Sequence, residues 1–526
     1  MPGKFEAPRN GGGARRPSGE GASRRGQGQR PEDAPRRSRP VQSQRPESTG
    51  QPPRRPNPTA QSQRPEGSPR PRQPRRKPRR TNPLLFVGIG ALVVALVLGL
   101  AMCGKKDKPA APGESLPQTT KPTAVETMPQ PTQPEVVAKA TVISQGDLLM
   151  HSYLFTSNAK FPSAAYQGEG EYNFDSIFQY IQPHVSGADY GVANLETTFG
   201  GPDKPYSGNP LFNCPDALAD AVGKAGFDML LTANNHCHDT GTEGLKRTLE
   251  QVRARNLATL GTQLSDGEKK YAVTDVNGIK IGMICYTYAG GLEGDGSPNL
   301  NLSEATVVRE KGIVNYFTEA KLDQFYSEMQ THLDNMRQDG AEATMVYIHW
   351  GQEYQTTENA TQRAMAQKLC DMGVDVIVGG HPHVVQPMDL LSSTTDPAHK
   401  TVCIYSLGNA VSNQRKEELK QSCPTGHSED GVLFSVTFEK DAAGTVWVSD
   451  TQVLPTWVNK FTNSDGKVEY NILPLEDSSR AQWQQMFHLT DAQLTACQAS
   501  YQRTMDIVGA GLAECQSWLA GTETAG

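Results

Sequence analysis

The stretch MLLTANNHCHD, residues 229–239, decides the fold: a short apolar run of β type gives way at once to Asn, His and Asp. A run so brief and so apolar suits a strand buried on both faces, and polar side chains just past its end sit where ligands bind in open α/β sheets. The arrangement recurs in both directions along the chain. Upstream, Gly146-Asp147 with His151 follows a run at 140–144, and Asn194-Leu195-Glu196 follows one at 190–194. Downstream, His349 ends the run 343–349, Gly379-Gly380-His381-Pro382-His383 follows 374–378, and Ser406-Leu407-Gly408-Asn409 follows 402–406.

Between these runs lie amphipathic helical windows at 215–225, 242–255, 319–339 and 361–372. Alternation of the two periods predicts parallel strands joined by helices. Antiparallel pairs are mixed in, because Asn277-Gly278 between YAVTDV and IKIGMICY, the second half of which covers a further strand at 280–286, is a hairpin signal. A second hairpin is expected near 431–454, giving one mixed sheet or two packed sheets.

Composition divides the rest. Residues 1–80 hold 21 Lys or Arg against 6 Asp or Glu, so in a chain of net charge −6 the remainder carries about −21. Rich in Pro, Gly, Gln and Ser, this tail cannot bury enough apolar surface to offset its ordering entropy and is expected to be disordered. Residues 84–103 form 20 positions without a charge, enough for one transmembrane helix, assigned over 81–104. RRKPRR precedes it, so the positive-inside bias places the tail in the cytoplasm and the remainder outside a cell membrane crossed once. A cleaved signal and a lipidated Cys103 fit less well, since the run is long and Met102 is large. A basic tail beside the inner leaflet favours anionic lipid as its partner, and no nucleic acid is expected. The Pro- and Thr-rich stretch 105–138 reads as a stalk, 139–460 as one α/β domain, and 461–526 as a C-terminal helical extension without a legible motif. Nine cysteines show no C-x-x-C pair, so neither a zinc knuckle nor a disulfide framework is indicated.

Six of the eleven histidines fall within the polar clusters. Imidazole and carboxylate together suit divalent zinc, manganese or iron, and Asn adds a neutral oxygen that leaves the cation electrophilic. Such a cation can orient phosphate oxygens and acidify a water. The plainer alternative is a set of ordinary buried histidines, with Asp147 and Glu196 as cap or turn residues. Each residue alone fits that alternative; their joint placement at successive strand ends does not. His151 and His238 fit the structural role better, and Trp350 and Tyr354 fit packing.

The set GD, NLE, ANNHxxDxGxxGL, HWGxEY, GGHPHVVQP and YSLGN resembles the CapA-type proteins of poly-γ-glutamate capsule synthesis, over about residues 140–458. The resemblance implies a metallophosphoesterase-like α-β-β-α sandwich of mixed sheets, similar to the calcineurin-like fold. It implies Asp147, Glu196, Asn235, His349, His381 and His383 as ligands of one or two divalent ions (Mn, Zn or Fe), with Glu196 where a bridging carboxylate stands. His236 takes the place of the general acid and Asp239 orients it. Asn194, His151 and Asn409 stand behind these as further candidates. Two departures bear on metal count and on hydrolysis: His151 lies four positions after Asp147 where Asp-x-His is usual, and Glu196 replaces an Asp. The resemblance further implies other membrane components of a polymer synthase as partners, and an anionic γ-glutamyl polymer or its phosphorylated precursor as the substance handled. The alternatives are a metal-dependent phosphoesterase or hydrolase of the envelope, and an assembly module whose site is inert.

Overall fold

The structure, a computed structural model, describes residues 135–521. The tail read over 1–80, the span read over 81–104 and nearly all of the stalk read over 105–138 lie outside these residues. Among the described residues no helix is long and apolar enough to cross a membrane.

Strand β1 (Val136–Leu148) organises the first sheet. Parallel to it run β2 (Tyr190–Asn194), β3 (Met229–Leu231) and β4 (Ala258–Leu260). The second sheet begins with the hairpin of β5 (Tyr271–Val276) and β6 (Ile279–Tyr288), whose turn places Asn277 and Gly278 at φ 50° and 86°. Those left-handed values are why Asn and Gly occupy the turn. Next come β7 (Ala343–His349) and β8 (Val376–Gly380), then β9 (Met388–Ser392) and β10 (Lys400–Ile404). The sheet order is β6-β7-β8-β10-β9, parallel except for β9 at the edge. The chain then returns to the first sheet, where β11 (Asn409–Val411) pairs in parallel with the end of β1. Strands β12 (Asp430–Asp441), β13 (Val446–Thr462) and β14 (Val468–Pro474) extend that sheet antiparallel on the edge of β1 opposite β2.

Side-chain alternation builds the layers. Val142, Val192, Met229, Met345 and Val376 face one shared core between the sheets. Their neighbours point outward: Ile143, Ala193 and Leu230 meet helix α1 (Ala217–Lys224) through Leu218 and Val222. Helix α2 (Gly241–Arg253) follows β3 and buries Leu245 and Leu249. On the opposite side Val346, Ile348 and Ile377 meet α3 (Leu322–Gln338) and α4 (Ala360–Asp371). The result is a mixed α/β fold of two packed mixed sheets with helices outside.

The first sheet does not stop at residue 460. Strand β13 crosses that boundary and β14 lies wholly beyond it, so a purely helical extension from 461 is corrected. Only the last element, α5 (Asp491–Leu519), is a long helix, opened by a capping box between Thr490 and Gln493. It lays Val508, Leu512 and Cys515 into the inter-sheet core.

Candidate metal centre

Every polar cluster lies at the carboxyl end of a parallel strand, and the fold draws those ends together. Asp147, at the end of β1, accepts a hydrogen bond from Asn194 Nδ2 at 2.7 Å, and its other oxygen lies 3.1 Å from His383 Nδ1. Asn234 in turn donates to Asn194 Oδ1 at 3.1 Å and to the Leu195 carbonyl at 2.8 Å, fixing the loop that carries Glu196. From the other sheet, His349 Nε2 stands 2.8 Å from Asn235 Oδ1 and 3.4 Å from Glu196 Oε1. His383 Nε2 lies 3.8 Å from the same carboxylate oxygen.

Two overlapping triads emerge. Donor atoms of Asp147, Glu196 and His349 lie within 4.8 Å of one another, and so do those of Glu196, His381 and His383. Glu196 belongs to both. All five are buried, yet among the described residues neither carboxylate oxygen of Glu196 has a hydrogen-bond partner, nor does Nδ1 of His381. The approaches of His349 and His383 to Glu196 lack hydrogen-bond alignment. Burying an unbonded carboxylate is costly, and a cation shared by these donors removes the cost. The residues present therefore fit a divalent metal.

The backbone here is shaped for the purpose. His381 and His383 sit at φ 94° and 57°, left-handed values rare outside glycine and held only where surrounding structure imposes them. A Cβ on Gly379 would come within 1.9 Å of the Tyr405 carbonyl, and one on Gly380 within 3.2 Å of Asp147 Oδ1. Glycine before the two histidines lets β8 run this close to β10 and to the carboxylate.

Electrostatics follow the geometry. Burial alone pushes the Asp147 carboxyl up, but the His383 hydrogen bond and charge, with His349 and Asn194, hold it below its ordinary value. Burial opposes charge on His383, yet Glu196 and Asp147 prevail and raise it to about 9. Burial drives His381 well below its ordinary value, and the neighbouring His349, His383 and His236 act in the same direction. His381 is therefore neutral, as a ligand must be.

Beside the triads, His236 Nδ1 lies 2.7 Å from Asp239 Oδ2, which also accepts the Phe212 N–H at 2.7 Å. The Phe212 ring packs edge-on at 4.6 Å from the imidazole. Asn301 Nδ2 approaches the same ring nitrogen at 3.3 Å, while its Oδ1 accepts from Asn235 Nδ2 at 2.9 Å. The shorter, charge-assisted contact with Asp239 fixes the ring.

Of the second-rank candidates, Asn194 touches Asp147 directly. Asn409 instead donates to the His383 carbonyl at 3.2 Å and holds that loop from behind. His151 Nδ1 turns to the Leu149 carbonyl at 3.2 Å and lies outside both triads. His238 is spent on Ala305 and Thr242, and Trp350 donates to the Tyr405 carbonyl within the core. Three residues escaped the sequence reading: Asn301, Phe212 and Tyr288, whose ring lies 4.6 Å from that of His381. They come from irregular segments or a strand end with no motif, and no sequence signal marks them.

A family model described as the bacterial capsule synthesis protein PGA_cap matches residues 141–414. The PGA biosynthesis protein CapA of Bacillus subtilis is 32% identical over 46% of this chain and 57% of its own length. The capsule biosynthesis protein CapA of Bacillus anthracis is 27% identical over 48% of this chain and 57% of its own length. The chain thus spans little more than half of either relative. Among solved structures, the NAD nucleotidase of Haemophilus influenzae aligns with 70% of this chain and 60% of its own at 13% identity, with a TM-score of 0.36, too slight a likeness to carry an argument.

Proposed function

The chain belongs to the family of the bacterial capsule synthesis protein PGA_cap, and from that premise we propose that it serves the synthesis or export of an anionic capsule-type polymer of the poly-γ-glutamate kind, through a hydrolytic metal centre. The names of its Bacillus relatives support the first half. The second half rests on one observation: Glu196 is wholly buried, has no hydrogen-bond partner on either oxygen among the described residues, and is shared by two sets of metal-type donors. Layering of helices outside two mixed sheets, with the cluster at the strand ends, supports a metallophosphoesterase-like arrangement.

In this reading Asp147, Glu196, Asn235, His349, His381 and His383 hold one or two divalent ions. The chemistry supplied there is Lewis acidity toward a phosphoryl or acyl oxygen and toward water. Asn194 orients Asp147, and Asn409 holds the His383 loop. Asp239 accepts the Nδ1–H of His236 and orients the ring, so that the imidazolium form would present its second proton, on Nε2, to the departing oxygen. Residues 84–103 anchor the domain outside the membrane, beside the other membrane components of a polymer synthase.

Metal content and turnover of the full chain test the proposal, with a generic phosphodiester and poly-γ-glutamate as substrates. Glu196→Gln is expected to lose bound metal. His236→Ala is expected to keep it and to lose turnover by about a hundredfold or more. Absence of metal from the wild-type protein would sink the metal centre. Metal without turnover on either substrate would make the site a binding or assembly module.

A further inference from the structure

Beside the cluster lies a cavity of about 500 Å³, a size suited to a small organic ligand. Tyr288 joins the two, since its ring packs 4.6 Å from that of His381 and also lines the cavity. Phe317, Trp350 and Met365 supply carbon walls, and Trp350 directly follows His349. Thr318 contributes a hydroxyl that is buried and has no hydrogen-bond partner among the described residues. An unpaired buried polar group is costly, so a ligand atom that bonds it is favoured. Glu319, exposed at the rim, is the one charged side chain among the described residues lining the space. Among the described residues no Lys, Arg or His lines it.

We propose that this cavity seats the organic part of a ligand whose anionic end is held at the metal cluster, and that it selects an uncharged, carbon-rich group with a hydrogen-bonding atom over one bearing a carboxylate. The inference rests on the metal centre proposed above and narrows its substrate. A γ-glutamyl chain brings a carboxylate with every residue; none would find a cation here, and all would meet Glu319. The substrate class is then a phosphate ester of a neutral organic alcohol, and the polymer itself does not thread this cavity.

Calorimetry on the manganese-loaded full chain tests this without turnover, using inorganic phosphate, 4-hydroxyphenylphosphonate and 4-carboxyphenylphosphonate as probes. The hydroxyphenyl probe is expected to bind about tenfold more tightly than phosphate, and the carboxyphenyl probe no more tightly than phosphate. Thr361→Trp, which fills the cavity from the first turn of α4, should abolish the tenfold advantage and leave phosphate binding unchanged. Thr318→Val should reduce the advantage, and Glu319→Lys should let the carboxyphenyl probe gain. Equal binding of phosphate and the hydroxyphenyl probe overturns the proposal, as does an advantage that survives Thr361→Trp. Failure of phosphate itself to bind sinks the metal-centre reading instead, and this inference with it.

Discussion

His151 shows how little separates a ligand from a wall at this site. Four positions after Asp147, its Nδ1 lies 3.2 Å from the Leu149 carbonyl and 3.4 Å from the Asn413 N–H, and its ring meets Phe212 edge-on. Burial lowers its pKa to about 4, and the charges of His383 and His236 act in the same direction. The unfolded chain keeps that proton up to about pH 6.5. Between these values the unfolded state binds more protons than the native one, so stability rises with pH across the window and is lost as pH falls through it. At pH 5 the loss from this one group is about 2 kcal/mol. His151→Asn, which keeps a polar atom near Leu149, should therefore lose less stability between pH 7 and pH 5 than the wild type. Urea midpoints with a chelator present measure this, the chelator removing metal linkage from both proteins. Parallel losses in the two proteins would clear His151 of the effect.

Two glycines of α5 make opposite predictions. A Cβ on Gly511 would fall 1.9 Å from the Met388 carbonyl oxygen, whereas one on Gly509 meets nothing nearer than Met505 Cε at 3.8 Å. Gly511→Ala must push the helix off β9 and should cost about 3 kcal/mol. Gly509→Ala should stabilise by about 0.5–1 kcal/mol through helix propensity and a less free unfolded chain. Denaturant unfolding of the pair decides whether the helix is seated as described; similar shifts would show that it is not. The seat also explains what the sequence hid. The buried face of α5 is Cys497, Ser500, Thr504, Val508, Gly511, Leu512 and Cys515, mostly small and broken by two hydroxyls, so no apolar stripe announced a core element. Strands β2 and β7 were legible to the residue because apolar runs end abruptly in Asn194 and His349. β4, β9, β11 and β14 were not; three to seven residues long, they take their pairing from neighbours rather than from their own pattern. The same division holds at the site. Ligand candidates at strand ends could be read, while Asn301 sits in a loop held at the centre by its own bond to Asn235 and by that of Ala305 to His238.

At the scale of the molecule, the family match ends at residue 414, but the architecture that holds the centre does not. Strands β12 to β14 close the first sheet, and α5 is fastened to it by Arg503, which donates to both oxygens of Asp430 at 2.7 and 2.6 Å. Asp430 opens β12 beside the β11 loop: a Cβ on Gly408 would lie 2.6 Å from the Asp430 carbonyl, and the next residue, Asn409, holds His383. Burial raises the Asp430 carboxyl to about 6 even though Arg503 holds it down. Removing the guanidinium leaves a buried carboxylate alone, so Arg503→Met should cost about 3–5 kcal/mol at pH 8. Without Arg503 the folded pKa of Asp430 climbs further above its unfolded value. The native variant then takes up a proton that the unfolded chain does not hold, and the penalty shrinks as pH falls toward 5. Urea unfolding of wild type and variant at the two pH values should therefore show a wide gap at pH 8 and a narrower one at pH 5. A double variant with Asp430→Asn should recover much of the loss at pH 8, because no charge is left behind. An equal gap at both pH values, or a double variant no better than the single one, would mean that Asp430 is not the group Arg503 protects, and that α5 is held to the sheet by its close-packed small residues alone.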